Sequence, residues 1–140
     1  MTGIYGRSKA AKLIQEGRYQ EAIEAATAAF AAEGSDASAL FDRAAAHTAL
    51  GQHDDAVADL EAALAADAGT GELDMDLVDD AYFTALLEVA RQGNVGAAGA
   101  AGLDRYRQVL PRGQHHGDVT TWQKRLRGEL PPSVIVKERE

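Results

Sequence analysis

This sequence predicts an all-α protein made of three helical hairpins and a C-terminal capping helix. Three observations carry that prediction. The stretches "EGRYQEAIEAATAAF" (16–30) and "LGQHDDAVADLEAAL" (50–64) superpose at an offset of 34 residues. Gly17 then meets Gly51, Ala22 meets Ala56 and Phe30 meets Leu64, and a period of this size marks a repeat architecture. A third copy, "RQGNVGAAGAAGLDRY" (91–106), keeps the same internal spacing of Gly93, Ala98 and Tyr106. Of the 140 residues, 29 are Ala, the strongest helix former. Large apolar side chains are therefore scarce, and the helices must pack closely over small ones.

The elements follow in order. Helices are expected over 3–16, 19–33, 36–50, 53–67, 76–92, 95–110 and 118–128. Gly17, Gly51 and Gly93 stand where a helix must end on a left-handed residue, a conformation Gly adopts without strain. Ser35 is a candidate N-cap for the third helix. Leu40, Ala44 and His47 form one stripe of that helix. Ala56, Leu60, Ala63 and Leu64 form the inward stripe of the fourth. The stretch "AGTGELDMDLVDD" (68–80) holds the extra residues that separate the second repeat from the third. Asp76 and Asp79 have the outline of a capping box, and Asn94 can cap the sixth helix. Gly96, Gly99 and Gly102 fall three apart inside that helix, where each costs about 1 kcal/mol relative to Ala; close approach of another backbone is one physical reason to accept that cost, and drift in a weakly stable final repeat is the other reading. Asp118 is the expected N-cap of the capping helix. Val119, Trp122 and Leu126 are its apolar stripe, with Trp122 the anchor. Pro131 and Pro132 end it. The domain is thus 1–128, with units at 4–34, 36–68 and 76–110, the capping helix at 118–128 and a tail at 129–140.

This pattern resembles the tetratricopeptide repeat family. The glycine turn, the small residue five places on and the 34-residue period match over roughly residues 4–110. The resemblance implies a superhelical stack of three hairpins plus a capping helix, which a single hairpin cannot replace because it buries too little of its own apolar face. The family's usual aromatic at the head of the first helix is replaced by Gly6, Leu40 and Tyr82. The proline that commonly ends a unit is absent at Gly34 and Ala68.

Charge is unevenly spread within a total of −8. Residues 33–88 hold fourteen acids against one base, Arg43, whereas 89–127 hold seven bases and two acids. Such an acidic total argues against nucleic acid, and the acidic block reads as a solvated face. No run reaches the roughly 18 apolar residues of a membrane span. With no Cys and no apolar segment like that of a signal peptide, a cytoplasmic location is expected.

Nothing in the chain points to catalysis or to a cofactor. Zinc needs three or four converging ligands. His47 and His53 straddle a helix end, and His115 and His116 are adjacent in "RGQHHGD". His47 reads better as a core-facing residue. Counted from Asp74, the sixth and twelfth places of a calcium loop hold Asp79 and Ala85 instead of Gly and Glu. No Ser, His and Asp stand in a relation that suggests an activated nucleophile.

The family resemblance implies a concave groove, lined by the first helix of each unit, that holds a peptide or helix of a partner protein. Its positions here are Arg7, Ala11 and Ile14, then Phe41, Ala45 and Thr48, then Phe83, Leu87 and Ala90, with Arg91 one turn on. Family members that grip a C-terminal carboxylate use basic and Asn residues at places that hold Arg7, Ala11, Asp42, Asp80 and Thr84 in this chain. Only the first is basic, which disfavours that mode. The expected groove has Phe41, Phe83 and Leu87 as apolar anchors, Arg7 and Arg91 as flanking charges, and Asp42 and Asp80 as acids. It suits a partner segment with apolar anchors and some basic residues, and the chain acts as an adaptor or scaffold. A competing expectation is self-assembly, with Val134, Ile135 and Val136 of the tail docked in the chain's own groove or a neighbour's.

Overall fold

The structure is a computed structural model. It describes residues 8–33, 37–68, 71, 73–92 and 97–130. Among these residues every regular element is a helix: α1 (Lys9–Gln15), α2 (Tyr19–Glu33), α3 (Ala37–Ala49), α4 (His53–Asp67), α5 (Met75–Gln92), α6 (Ala97–Gly102), α7 (Asp104–Val109) and α8 (His116–Leu126). The chain divides into two compact units, Met1–Val78 and Asp79–Glu140.

In the first unit the repeat is reproduced bond by bond. Helix α1 begins at Ser8, whose Oγ accepts the Ala11 N–H at 3.0 Å. It ends at Gly17, with φ of 79°. The Gly17 N–H bonds the Ile14 carbonyl at 3.0 Å and the Arg18 N–H bonds Leu13 at 2.9 Å. That pair of reversed bonds satisfies carbonyls that the helix end would otherwise leave open. At the corresponding turn Gly51 has φ of 78°. Its N–H bonds Thr48 at 3.0 Å, and the Gln52 N–H bonds His47 at 2.8 Å. All four partners are shifted by 34 residues. Ser35, Gly93 and Asn94 lie outside the described residues.

Burial repeats at the same offset. Ala10 and Ala44, and Ala22 and Ala56, are all buried, as are Ala26 and Leu60. Helices α1 and α2, α2 and α3, and α3 and α4 pack in succession, and α1 also touches α3. A hydrogen bond of 2.8 Å from Ser8 Oγ to Asp42 joins two residues 34 apart on these first helices.

Because the core is mostly Ala, buried polar ties hold the unit as well. Arg43 donates from Nε and Nη2 to the two oxygens of Asp59 at 2.9 and 2.7 Å, and from Nη1 to Thr27 at 3.1 Å. One guanidinium on α3 thereby bridges α4 and α2. Asp67 is buried and accepts the Leu73 N–H at 3.1 Å, tying down the connection after α4. The acidic block is therefore not wholly a solvated face: Asp59, Asp67 and Asp79 are buried. His47 packs as expected, with its ring bonded to Gln52 and near Asp59. The start of α5 differs from the expected capping box. Asp74, two residues earlier, caps it by accepting the N–H groups of Asp76 and Leu77. Asp79 is drawn inward instead.

In the second unit the expected helix over 95–110 is broken at Leu103. The Leu103 N–H bonds Ala100 and the Tyr106 N–H bonds Leu103, each at 3.1 Å and three residues back, the tighter winding of a 3₁₀ turn. The break lets Leu103 and Tyr106 both be fully buried. Gln123 of α8 mends it: its Nε2 donates to the Ala100 carbonyl at 2.9 Å and to Asp104 at 3.0 Å. Gly102 has open space where a Cβ would stand, so close backbone approach is not its reason, and Gly96 lies outside the described residues.

The capping helix starts at His116, two residues before the expected N-cap. Asp118 sits in its first turn and bonds the His115 ring at 2.8 Å. Val119 and Gln123 are the buried residues of α8. Trp122 is half-buried, with the Arg91 and Arg125 guanidinium groups 5.3 and 4.7 Å from its ring centre. Two cations thus lie against its ring face.

Two substitutions grade these forces. Asp59→Ala strands the Arg43 charge and should cost about 3 kcal/mol. Gly51→Ala strains a left-handed turn in open space and should cost about 1 kcal/mol. Urea unfolding of both variants checks the order, and Gly51→Ala proving the more damaging would contradict it.

Candidate partner-binding surface

The positions expected to line the groove have different fates in the two units. In the first, Phe41, Ala45 and Thr48 follow one another at helical spacing along α3. Phe41 and Ala45 are half-buried and Thr48 is exposed. Ala11 and Ile14, their counterparts on α1, are half-buried as well. Helices α1 and α3 pack together, and Ala45 and Thr48 stand 34 residues after Ala11 and Ile14. Asp42 is half-buried and already bonded to Ser8. Arg7 lies outside the described residues. A pocket of about 320 Å³ in this unit is lined by Lys9, Leu13, Arg18 and Glu21 among others. One of about 80 Å³ is lined by Ser8, Ala26, Ala39 and Asp42 among others.

In the second unit the expected anchors are covered. Phe83 and Leu87 are each only 8% exposed, and Ala90 is buried. The His115 ring lies flat on Phe83, with centres 4.7 Å apart and planes 8° apart, and Tyr106 meets Phe83 edge-on at 5.8 Å. A covered ring offers no face to a ligand, so Phe83 and Leu87 are core residues in this structure. Arg91 is not a free flanking charge either: it pairs with Glu88 and lies over Trp122. Asp80 is exposed but bonded to His115 at 2.7 Å.

Behind Phe83 lies a polar network that the sequence reading did not assemble. Buried Asp79 accepts the Tyr106 hydroxyl on one oxygen and the Gln114 N–H on the other, the latter at 2.7 Å. The Tyr106 oxygen in turn accepts the His115 N–H at 2.9 Å. Burial and the bond to Asp79 push the Tyr106 phenol above its ordinary range, so it stays protonated and donating. Gly113 makes the approach possible. A Cβ there would stand 2.0 Å from the Tyr106 oxygen and 2.7 Å from Cζ. Burial works against a charged His115. The bonds to Asp80 and Asp118 and the charge of Asp79 outweigh it and raise its pKa above the ordinary value. Among the described residues no three or more His, Asp or Glu side chains are grouped as metal ligands. None of their helices is long and apolar enough to cross a membrane.

Paired helices turning on left-handed glycines, with first helices in contact, define a helical-hairpin repeat protein. The family model for the tetratricopeptide repeat matches residues 13–79, which assigns that stretch to the tetratricopeptide repeat family. No curated protein and no solved structure matches the chain. Repeats of this family generally mediate protein–protein interactions.

Tyr106→Phe leaves buried Asp79 short of a donor and should cost about 2 kcal/mol. Gly113→Ala forces a methyl group into the phenol and should cost about 1–3 kcal/mol. Thermal unfolding followed by circular dichroism measures both, and a Gly113→Ala variant as stable as wild type would contradict the close approach.

Proposed function

We propose that the protein is a cytoplasmic adaptor or scaffold, without catalytic activity, that holds a peptide or helix of a partner protein along its first helices. The observation that supports this reading is that Ala11, Ile14, Phe41 and Ala45 are only half-buried and Thr48 is exposed on two first helices that pack together; we take them as one strip with Phe41 as its aromatic anchor. Aromatic anchors dominate interface energies, and their truncation commonly costs 2 kcal/mol or more, roughly thirtyfold in affinity. Phe83, Leu87 and Arg91 hold the equivalent register in the next repeat. The surroundings are acidic, with Asp42 and Asp80 nearest the register positions, and favour a partner with apolar anchors and basic residues.

The test is binding kinetics at two ionic strengths with a partner captured from the native host. Phe41→Ala should weaken binding about thirtyfold with little dependence on salt. Asp80→Asn should slow association at low salt, apart from any effect through its bond to His115. Asp79, being buried, has no part in that steering. A folded Phe41→Ala variant that binds as wild type does would overturn the reading. If binding is instead lost in a chain ending at Gly128, the tail carries the contact.

A further inference from the structure

We propose that His115 is a proton-operated latch: while charged, it bonds carboxylates of α5 and α8 at once and strengthens the hold of the α7–α8 loop over Phe83, and on losing its proton it weakens that hold. The geometry carries this. His115 Nε2 bonds Asp80 of α5 at 2.7 Å, and Nδ1 bonds Asp118 of α8 at 2.8 Å. Both ring nitrogens thus face carboxylate oxygens, which only accept hydrogen bonds. Imidazolium has two N–H groups and satisfies both; neutral imidazole has one and satisfies either. His115 directly precedes α8, so its bond to Asp80 ties the two helices, and deprotonation, which leaves one N–H for two carboxylates, weakens that tie. The nitrogen left bare then points its lone pair at an oxygen within 3 Å.

The remaining groups around the ring act in the same direction. Asp79 and Asp80 face it from α5, the Tyr106 phenol from α7, and Asp118 from α8, where His116 also packs on Tyr106. Three carboxylates surround the imidazolium. The flat stack on Phe83 adds attraction between a cation and a ring face, and this too is lost with the proton. Because the three carboxylates hold the folded ring's pKa above its ordinary value, the latch contributes fully below the unfolded value of about 6.5. Its contribution is lost as pH rises through the higher folded value. The latch is closed on the acidic side and open on the alkaline side.

Opening exposes Phe83, the covered counterpart of Phe41. In that last step, and only there, the inference rests on the proposed groove: a partner that uses Phe83 binds more tightly as pH rises.

The latch is tested without any partner, on the full chain. Imidazole titration by NMR gives the His115 pKa, and amide exchange of α8, corrected for intrinsic rates, is followed from about pH 6 to about pH 9, either side of the ordinary His value. Wild-type α8 should lose protection about tenfold for each unit by which the His115 pKa is raised. H115Q, which can bridge only weakly and does not titrate, should exchange at the open rate throughout. Asp80→Asn changes an exposed residue and should lower the His115 pKa toward its ordinary value, so the test survives if H115Q fails to fold. A His115 that titrates at or below its ordinary value overturns the latch, as does an α8 that exchanges with the same pH dependence in wild type and H115Q. Loss of the groove reading through Phe41 leaves these outcomes untouched.

Discussion

A helix that ends on a left-handed glycine turns its chain back on itself, and the rest of the first unit depends on that turn. Gly17 and Gly51 set the angle at which α2 and α4 return along α1 and α3. Only then can Ala22 and Ala56 lie against their partner helices with no exposed surface. Small residues at these positions bring the backbones close, which gains dispersion contacts but little apolar area. The cost of so thin a core shows in the polar ties that supplement it. Arg43 joins three helices through one bidentate and one single contact.

The second unit solves the same shortage differently. Its core contains Tyr82, Phe83, Leu86, Leu103 and Tyr106, three of them aromatic where the buried hydrophobic residues of the first unit are Ala, Leu and Val. The tyrosines come with polar ends that must be satisfied. Tyr106, Asp79 and the backbone of Gln114 and His115 satisfy one another, and Gln123 closes the break between α6 and α7. The consequence for function is an asymmetry: the first unit presents an aromatic at its surface, and the second covers the equivalent one with a histidine that responds to protons.

Local features were legible in the sequence. The helices, the two described glycine turns and the inward Ala positions follow from period and from backbone chemistry within one repeat. What was not legible depends on residues far apart in the chain. Asp79 reads as a helix-start acid until Tyr106, 27 residues on, reaches it. Asp118 reads as an N-cap until His115 claims its carboxylate. Gly113 looks like an ordinary loop residue, and no local pattern shows that a phenol occupies the space of its missing side chain. The break at Leu103 was missed for a related reason. Glycines at 99 and 102 weaken a helix, yet where it yields is decided by the burial of Leu103 and Tyr106 and by the amide of Gln123. Phe41 and Phe83 looked alike because register alone was visible; what lies on top of each was not.

The central claim is that partners are held on the strip formed by α1 and α3. The most direct measurement is NMR chemical-shift mapping on the full chain titrated with a segment of a captured partner. The account predicts that the largest changes fall on Ala11, Ile14, Phe41, Ala45 and Thr48 while α2 and α4 stay nearly unchanged. Changes concentrated on α2 and α4, with the strip silent, would contradict it.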